Sequence, residues 1–292
     1  MPTIDEKLIT TDKVPYLSRQ GVQVSVLRTD KIHPVISGNK WFKLKFYLQE
    51  AKDLQKQVVV TYGGPYSNHI VATAAASSQL GFKSVGLIRG EEPQVRSHTL
   101  SDALSYGMEL QFLSREDYRS RNRLQDVNDA SCYYIPEGGY GKWGALGAGT
   151  IPYEKDQFDT ILCAVGTGTM VAGLINSKMP HTKVIGISMF RNNFSLEEEI
   201  RVLVTDRTQK IQLLHDYHFG GYARRTPDLF QFMNDFYSKT GIPTDFVYTG
   251  KLFYAAHDLV QKQYFTEGER VLIIHCGGLQ GNLSLPKGLL IF

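Results

Sequence analysis

Short apolar runs alternate with amphipathic segments along most of this chain of 292 residues, and this alternation restricts the fold more than any other feature. Apolar runs of about four to eight residues between glycine-rich turns are typical of buried strands, whereas longer segments with apolar residues at helical spacing are typical of helices. Strands are predicted at 22–27, 58–62, 84–88, 108–113, 132–135, 158–165, 183–188, 211–214 and 270–275. Helices are predicted at 40–54, 68–80, 98–106, 115–127, 169–177, 196–205, 227–240 and 252–263.

Strands and helices that alternate in this way predict parallel strands joined by crossover helices. The glycine-rich stretch 136–149 interrupts the rhythm, and we expect a hinge or a ligand-facing loop there. We predict an α/β fold with two open, mostly parallel, twisted sheets that carry helices on both faces. A small domain at 44–137 is expected to be inserted into a large domain formed by 1–43 and 138–292.

The composition argues against several classes of protein. The net charge is only +3 and lysine and arginine form no block, which disfavours a nucleic-acid partner. No apolar run is long enough to span a bilayer and residues 1–7 contain no signal region, so we expect a cytoplasmic protein without a membrane partner. Cys132, Cys163 and Cys276 lie in apolar runs without metal-type spacing, and we expect buried, reduced thiols.

Two lysines stand at the start of a predicted helix. Lys40 follows the turn Ser37-Gly38-Asn39, and Lys43 lies one helical turn later on the same face. A lysine at such a position, beside a second cation, loses its proton more easily and becomes a nucleophile toward carbonyl groups. The alternative is an ordinary basic helix start, and these residues alone do not distinguish the two.

A glycine-rich turn, Gly166-Thr167-Gly168-Thr169, leads from a predicted strand into a predicted helix. Backbone N–H groups in such a turn point inward and the helix N-terminus adds positive potential, so the turn suits a phosphate group. A dinucleotide is disfavoured because Gly173 comes too late for the third glycine of its fingerprint, and no acidic residue ends the next strand. We predict a site for a phosphomonoester, and a plain tight turn remains the alternative.

Two further segments place polar groups before helices. The segment 63–69 offers backbone N–H groups and the Ser67 hydroxyl to a carboxylate, although simple helix capping by Ser67 and Asn68 also explains it. Tyr248 and Thr249 place a phenol and a hydroxyl before another helix. The histidines show no spacing typical of metal ligands and no serine hydrolase motif is present, so we predict neither a metal site nor a serine hydrolase.

A reactive lysine, a phosphate turn and a carboxylate turn together indicate pyridoxal phosphate acting on an amino acid. The sequence also resembles a known family, the 1-aminocyclopropane-1-carboxylate deaminases and D-cysteine desulfhydrases, which are fold-type II (tryptophan-synthase-β-like) pyridoxal-phosphate enzymes. The resemblance extends over most of the chain, from about residue 28 to residue 278. It rests on Gly38-Asn39-Lys40, the segment 63–69, Gly166-Thr167-Gly168-Thr169 and Val247-Tyr248-Thr249-Gly250-Lys251.

The resemblance implies a role for each site residue. The catalytic residues would be Lys40, Ser67, Tyr222 and Tyr248. The cofactor would be bound by Lys40, Lys43, Asn68, Gly166, Thr167, Gly168, Thr169 and Thr249. The substrate carboxylate would be held by Ser67, Asn68 and His69. Within these sets Lys40 would form the Schiff base, Lys43 would approach the phosphate and Asn68 would contact the ring hydroxyl.

The residue after Tyr248 bears on the substrate. Deaminases of the family place a glutamate there, near the pyridine nitrogen, whereas this chain has Thr249. A neutral hydroxyl cannot keep that nitrogen protonated as a carboxylate can, which disfavours cyclopropane opening and favours elimination of a good leaving group. We expect a lyase that converts D-cysteine to pyruvate, ammonia and sulfide. The alternatives are the cyclopropane deaminase, which forms 2-oxobutyrate and ammonia, and a non-catalytic phosphate-binding α/β protein.

These motifs do not decide which residue is the catalytic base or what the oligomeric state is. Lys40, Tyr248 or Ser67 would remove the Cα proton, and the sequence does not decide among them. The small domain would close over the large one, with 137–149 as the hinge. By analogy with fold-type II relatives, we expect a homodimer.

Overall fold

The computed structural model describes residues 4–120 and 130–292. The strands are β1 (Thr11–Lys13), β2 (Gln23–Leu27), β3 (Val58–Gly63), β4 (Lys83–Arg89), β5 (Met108–Leu113), β6 (Cys132–Ile135), β7 (Thr160–Val165), β8 (Lys183–Ser188), β9 (Gln212–Leu214) and β10 (Arg270–Ile274). The helices are α1 (Asn39–Asp53), α2 (Asn68–Leu80), α3 (His98–Ser105), α4 (Arg115–Ser120), α5 (Lys142–Ala148), α6 (Thr169–Ser177), α7 (Leu196–Leu203), α8 (Pro227–Thr240) and α9 (Thr249–Gln261).

These strands form two sheets. The larger sheet has six strands in the order β1-β2-β10-β7-β8-β9, and within the described chain β1 is its one antiparallel member. The smaller sheet has four strands in the order β5-β4-β3-β6, all paired in parallel. Every residue of β7 is buried, which is typical of a parallel strand in a sheet covered on both faces. The predicted α/β fold with two open, mostly parallel sheets is confirmed.

Most elements lie close to their predicted ends, and the differences have simple causes. Strand β1 was not predicted because it is a short, largely exposed edge strand without an apolar pattern. Helix α9 begins at Thr249 rather than at 252. The helix predicted at 115–127 is found as α4 up to Ser120, and its part at 121–127 lies outside the described residues.

Strands β3 to β6 all belong to the smaller sheet, while the strands before and after them in the chain belong to the larger one. A segment inserted into a larger unit has this arrangement. It supports the division into a small domain at 44–137 and a large domain at 1–43 and 138–292, which stays a proposal.

Helix α1 joins the two sheets. It packs against α5 on one side and against α2 of the smaller sheet on the other. Its buried Phe42 and Leu44 belong to the main hydrophobic core, which also contains Ile273 of the larger sheet and Val59 of the smaller one. The N-terminus of α1 is therefore held by apolar packing that reaches into both sheets.

The glycine-rich stretch 136–149 is not a loop along its whole length, as had been expected, because it contains helix α5. Its glycines allow close packing instead. A Cβ atom on Gly147 would collide with the backbone oxygen of Phe42 in α1, and one on Gly144 would collide with the oxygen of Gly139. Glycine therefore lets α5 approach α1 more closely than any other residue would.

This packing predicts whether one glycine-to-alanine substitution stabilises or destabilises the protein. In an unobstructed helix, glycine to alanine stabilises a protein by about 0.5–1 kcal/mol. For Gly147→Ala we expect a loss of about 1–3 kcal/mol in the free energy of unfolding, because the methyl group meets backbone that cannot move aside. Urea unfolding followed by circular dichroism measures the difference.

Gly281→Ala is the matched control. No atom lies within 4 Å of a Cβ built on Gly281, so its free energy of unfolding should change by less than about 0.5 kcal/mol. A Gly147→Ala protein as stable as the wild type would contradict the packing role of this glycine.

Candidate active site

A cavity of about 380 Å³ lies between the carboxyl ends of the two sheets. Its wall includes the start of α1 and residues at or after the carboxyl ends of β3, β4 and β6 of the smaller sheet and β7, β8 and β10 of the larger one. Ligands of parallel α/β sheets bind at this edge. Of the residues selected from the sequence, the wall contains Lys40, Lys43, Ser67, Asn68, His69, Gly166, Thr167, Gly168, Tyr222 and Tyr248.

The start of α1 is fixed against the end of β10. Asn39 N–H donates to the Cys276 carbonyl at 3.3 Å, and a Cβ on Gly38 would collide with that same oxygen. Gly38 also has a φ of 59°, which favours glycine. This contact orients Lys40, whose Nζ donates to Asn39 Oδ1 at 2.8 Å and lies 5.8 Å from the ring centroid of Tyr248.

Burial makes Lys40 and Lys43 weaker bases, and the charge of Lys40 adds to this effect at Lys43. Burial lowers the pKa of Lys40, against the opposing effects of Cys276 and Asp245. Burial and the charge of Lys40 lower the pKa of Lys43 to about 7. Within the described structure, neither amine forms an ion pair with a carboxylate, although the charge of Asp245 favours the ammonium form of Lys40, so the cavity suits an anion.

The turn between β7 and α6 faces the cavity with its glycines. Gly166, Thr167 and Gly168 line the wall, and Gly168 has a φ of 78°. Thr169 is the first residue of α6 and lies behind the wall, where its Oγ1 is 2.9 Å from Thr167 Oγ1. The three lining residues suit a phosphate group, and direct contact of the Thr169 side chain with a ligand stays a prediction.

The turn between β3 and α2 forms the opposite wall. Ser67 caps α2, and its Oγ accepts a weak hydrogen bond from Ile70 N–H at 3.4 Å. Asn68 is 8% exposed, and its Oδ1 is buried without a hydrogen-bond partner in the described structure. A buried acceptor without a donor is unfavourable, which indicates that a ligand completes this site.

His69 also lines the cavity, but its proton is engaged elsewhere. Thr61 Oγ1 donates to Ile135 O at 2.8 Å, so it accepts from His69 Nε2 at 2.9 Å. Burial and the charges of Lys40 and Lys43 lower the pKa of His69 to about 3, so the ring is neutral. Its Nδ1 is a buried acceptor without a partner among the described atoms, and it has no proton to offer a carboxylate. A role for His69 in carboxylate binding therefore stays a prediction that this geometry does not favour.

Tyr222 and Tyr248 form an aromatic pair over the cavity. The Tyr248 hydroxyl donates to the Tyr222 hydroxyl at 3.4 Å, and the Tyr222 ring stacks on Phe190 at 5.3 Å between centroids. Burial raises the pKa of both phenols. The hydrogen bond between them lowers the pKa of Tyr222 and raises that of Tyr248. Both hydroxyls therefore keep their protons at neutral pH.

Thr249 does not line the cavity. It is fully buried, and its hydroxyl donates to Asp245 Oδ1 at 2.7 Å. The Asp245 carboxylate also accepts the backbone N–H groups of Val247, Tyr248 and Thr249, which fixes the start of α9. Contact between Thr249 and the pyridine nitrogen stays a prediction, and the hydroxyl is already used for this capping network.

The structure adds wall residues that sequence reasoning missed. Among them are Arg89, Glu137, Phe190 and Cys276. Each stands at or just after the carboxyl end of a predicted parallel strand, where the sheet topology alone would have located them. Glu137 and Gly138 also show that the first part of the glycine-rich stretch does face the cavity, as expected.

Other features of the described residues bear on the remaining expectations. No group of three His, Cys, Asp or Glu side chains there is placed to hold a metal ion. No helix in that part of the chain has the length and apolar character needed to cross a membrane. The three cysteines are free thiols, with Cys163 and Cys276 buried and Cys132 half-buried.

These residues fit pyridoxal phosphate. The cofactor carries a phosphate, an aldehyde and a ring hydroxyl. The turn at 166–168 and the uncompensated Lys43 suit the phosphate, and the Lys40 amine suits the aldehyde. The orphaned Oδ1 of Asn68 would be satisfied by a ring hydroxyl.

Comparison with known proteins agrees with this chemistry. A family model described as "Pyridoxal-phosphate dependent enzyme" matches residues 12–277. A Thermotoga maritima protein, provisionally named a 1-aminocyclopropane-1-carboxylate deaminase, is 33% identical over 93% of this chain and 93% of its own. The mitochondrial bifunctional D-cysteine desulfhydrase/1-aminocyclopropane-1-carboxylate deaminase of Arabidopsis thaliana is 30% identical over 89% of this chain and 73% of its own.

A solved structure of a similar protein has the same fold as this chain. The crystal structure of an ACC deaminase homologue matches with a TM-score of 0.81 and 28% identity, covering 97% of this chain and 93% of that one. The resemblance identified from the sequence motifs is confirmed. The chain therefore belongs to the family of pyridoxal-phosphate dependent enzymes, and pyridoxal phosphate is its cofactor.

Proposed function

We propose that this protein is a lyase that removes the β-substituent of a small amino acid, with D-cysteine as substrate. One water is consumed, and pyruvate, ammonia and hydrogen sulfide are released. The observation that carries the proposal is the position of Lys40 and Lys43 in a cavity shared with a glycine turn, where neither amine forms an ion pair with a described carboxylate. The two named activities of the Arabidopsis relative support the substrate class.

In this proposal, different parts of the cavity wall bind the phosphate, the cofactor aldehyde and the substrate carboxylate. Lys43 and the backbone of 166–168 hold the phosphate, and Lys40 holds the cofactor covalently between turnovers. The Ser67 hydroxyl and the N-terminal amides of α2 hold the substrate carboxylate, next to the Asn68 side chain. When bound, pyridoxal phosphate supplies a carbonyl that takes up the substrate amine and a ring that withdraws electrons from Cα.

Lys40 Nζ is the best base for the Cα proton. Its pKa is lowered by burial, so the neutral amine is accessible. Burial raises the pKa values of both phenols and keeps them protonated at neutral pH, so neither is available as a base. Tyr248 keeps its proton at neutral pH, and we assign its hydroxyl to protonation of the departing sulfur.

The cyclopropane deaminase is the second candidate, favoured by the second activity in the name of the Arabidopsis relative. Elimination is preferred here because the start of α9 offers no free carboxylate to the cofactor ring. The Thr249 hydroxyl and the Asp245 carboxylate are bonded to each other behind the cavity wall. We also propose a homodimer in the cytoplasm, for which free thiols and the analogy with fold-type II enzymes are the support.

The choice of substrate has a direct test. We expect the purified protein to release sulfide and pyruvate from D-cysteine, and little 2-oxobutyrate from 1-aminocyclopropane-1-carboxylate, because no carboxylate follows Tyr248. Product assays on both substrates at equal concentration measure the ratio. Faster turnover of the cyclopropane substrate would replace the lyase with the deaminase. A protein that binds the cofactor and turns over neither substrate would refute both.

Lys40→Ala should abolish the yellow colour that covalent attachment produces and should lower turnover by at least about 100-fold, because both the attachment point and the base are lost. Absorbance spectra and sulfide release measure the two effects. Lys52→Ala is the control, since Lys52 is an exposed lysine on the same helix. Full colour and activity in Lys40→Ala would show that another residue holds the cofactor.

Lys43→Met should weaken the binding of pyridoxal phosphate by about 10- to 100-fold, which is the worth of a hydrogen bond to a charged group. Binding of pyridoxal, which lacks the phosphate, should be nearly unchanged. Spectrophotometric titration of apoprotein with both compounds gives the two affinities. An equal loss for both would place Lys43 away from the phosphate.

The advantage of pyridoxal phosphate over pyridoxal should also depend on pH. Free Lys43 has a pKa of about 7, and a bound phosphate raises that pKa because it stabilises the ammonium. The phosphate contribution is therefore complete below about pH 7 and declines as pH rises through the higher pKa of the complex. In Lys43→Met the ratio of the two affinities should not change above pH 7.

A further inference from the structure

Lys251 is a buried cation that the proposed reaction does not use. It lies on α9 and is fully buried. Its Nζ donates to two backbone carbonyls, those of His218 and Gly221, each at 2.9 Å. A buried ammonium group is unfavourable unless it is well paired, so its partners indicate what it does.

Both carbonyls belong to the segment 218–223, which has an unusual backbone. Phe219 and Ala223 have φ values of 51° and 54°, and Gly220 and Gly221 have values of 90° and 124°. Positive φ at residues other than glycine is strained and persists only where the surroundings hold it. The segment carries Tyr222 to the cavity, where its side chain is 41% exposed.

Lys251 and Tyr248 lie close together on the same helix. Tyr248 is the N-cap of α9, and Lys251 follows one helical turn later. The ammonium group therefore ties the segment that bears Tyr222 to the helix that positions Tyr248. The two hydroxyl groups then lie 3.4 Å apart over the cavity.

The ammonium group is suited to this position. The Asp245 carboxylate at the start of α9 favours its charged form, while burial lowers its pKa to about 8. A charged donor forms stronger hydrogen bonds to carbonyls than a neutral one. The segment also makes aromatic contacts: Phe219 packs edge-on to Tyr254 at 4.9 Å, and Tyr222 stacks on Phe190. Within the turn, Gly221 N–H donates to the His218 carbonyl at 3.0 Å and Gly220 N–H donates to His218 Nδ1 at 2.9 Å. The Lys251 ammonium group joins the backbone of this turn to α9.

We propose that Lys251 is a positioning residue that holds the segment 218–223 against α9, so that the Tyr222 hydroxyl stays within reach of the Tyr248 hydroxyl at the active site. The inference rests on the proposed function in so far as it treats these two phenols as part of the catalytic apparatus. Lys251 itself does not line the cavity and acts through Tyr222.

A double-mutant cycle separates positioning from a general loss of stability. Lys251→Met keeps the length of the side chain and removes its donors, and Tyr222→Phe removes the hydroxyl that is positioned. We expect each single variant to lower kcat on D-cysteine by about 10- to 100-fold, and Lys251→Met to add less than about 3-fold in the Tyr222→Phe background. Equal losses in both backgrounds, or full activity of Lys251→Met, would overturn the proposal.

Two controls complete the cycle. Lys262→Met removes an exposed lysine beyond the end of α9, paired with Asp258 at 2.7 Å, and should leave kcat unchanged. Affinity for pyridoxal phosphate should be the same in Lys251→Met and wild type, because Lys251 does not line the cofactor cavity. If Lys251→Met does not fold, Lys251→Gln, which retains a donor and is shorter, is used for the same cycle.

Crystal structures of the wild-type and Lys251→Met holoenzymes test the position of the segment 218–223 without relying on activity. In Lys251→Met we expect the segment 218–223 to move and the Tyr222 hydroxyl to separate from that of Tyr248. An unchanged Tyr222 would overturn the inference. If Tyr222→Phe is fully active, the role given to Tyr222 in the proposed function is wrong, and the crystal structures alone then decide whether Lys251 places this segment.

Discussion

Lys40 and Lys43 lie on one face of α1 in a shared cavity, and neither forms an ion pair with a carboxylate of the described residues. Like charges at this spacing repel each other, and burial removes the water that would screen them. The result is a pair of weakened bases, which suits Lys40 to act as a nucleophile and lets Lys43 recover its charge beside an anion. A cavity that carries these amines next to a glycine turn is organised for an anionic, carbonyl-bearing ligand.

The position of these amines depends on close backbone contacts. Gly38 lets the start of α1 touch the backbone of Cys276, and Gly147 lets α5 lie directly on α1. Because α1 also packs against α2, the same helix connects the larger sheet with the smaller one. The glycines that looked like a flexible hinge in the sequence are, in α5, the reason for tight packing.

Much of the site was accessible from the sequence, since turns after buried strands have a strong local signal. The two lysines, the phosphate turn, the carboxylate turn and Tyr248 were all selected and all lie at the cavity. The expected ligand contacts of His69 and Thr249 depended on which neighbouring residue forms a hydrogen bond with the His69 ring and with the Thr249 hydroxyl. Thr61 occupies Nε2 of His69, and Asp245 occupies the hydroxyl of Thr249, and neither partner is evident from sequence spacing.

The sequence by itself determined the kind of fold, the chemistry of the cofactor and the main residues that line the cavity. These follow from local patterns, because apolar periodicity, glycine turns and helix starts each involve residues close together in the chain. The tertiary structure decided which strand ends share one cavity, how burial changes the pKa of each lysine, and which hydrogen bond each polar atom makes. It also brought Lys251 to the carbonyls of a segment about thirty residues earlier in the chain. Such contacts depend on packing between distant segments, which no local pattern specifies.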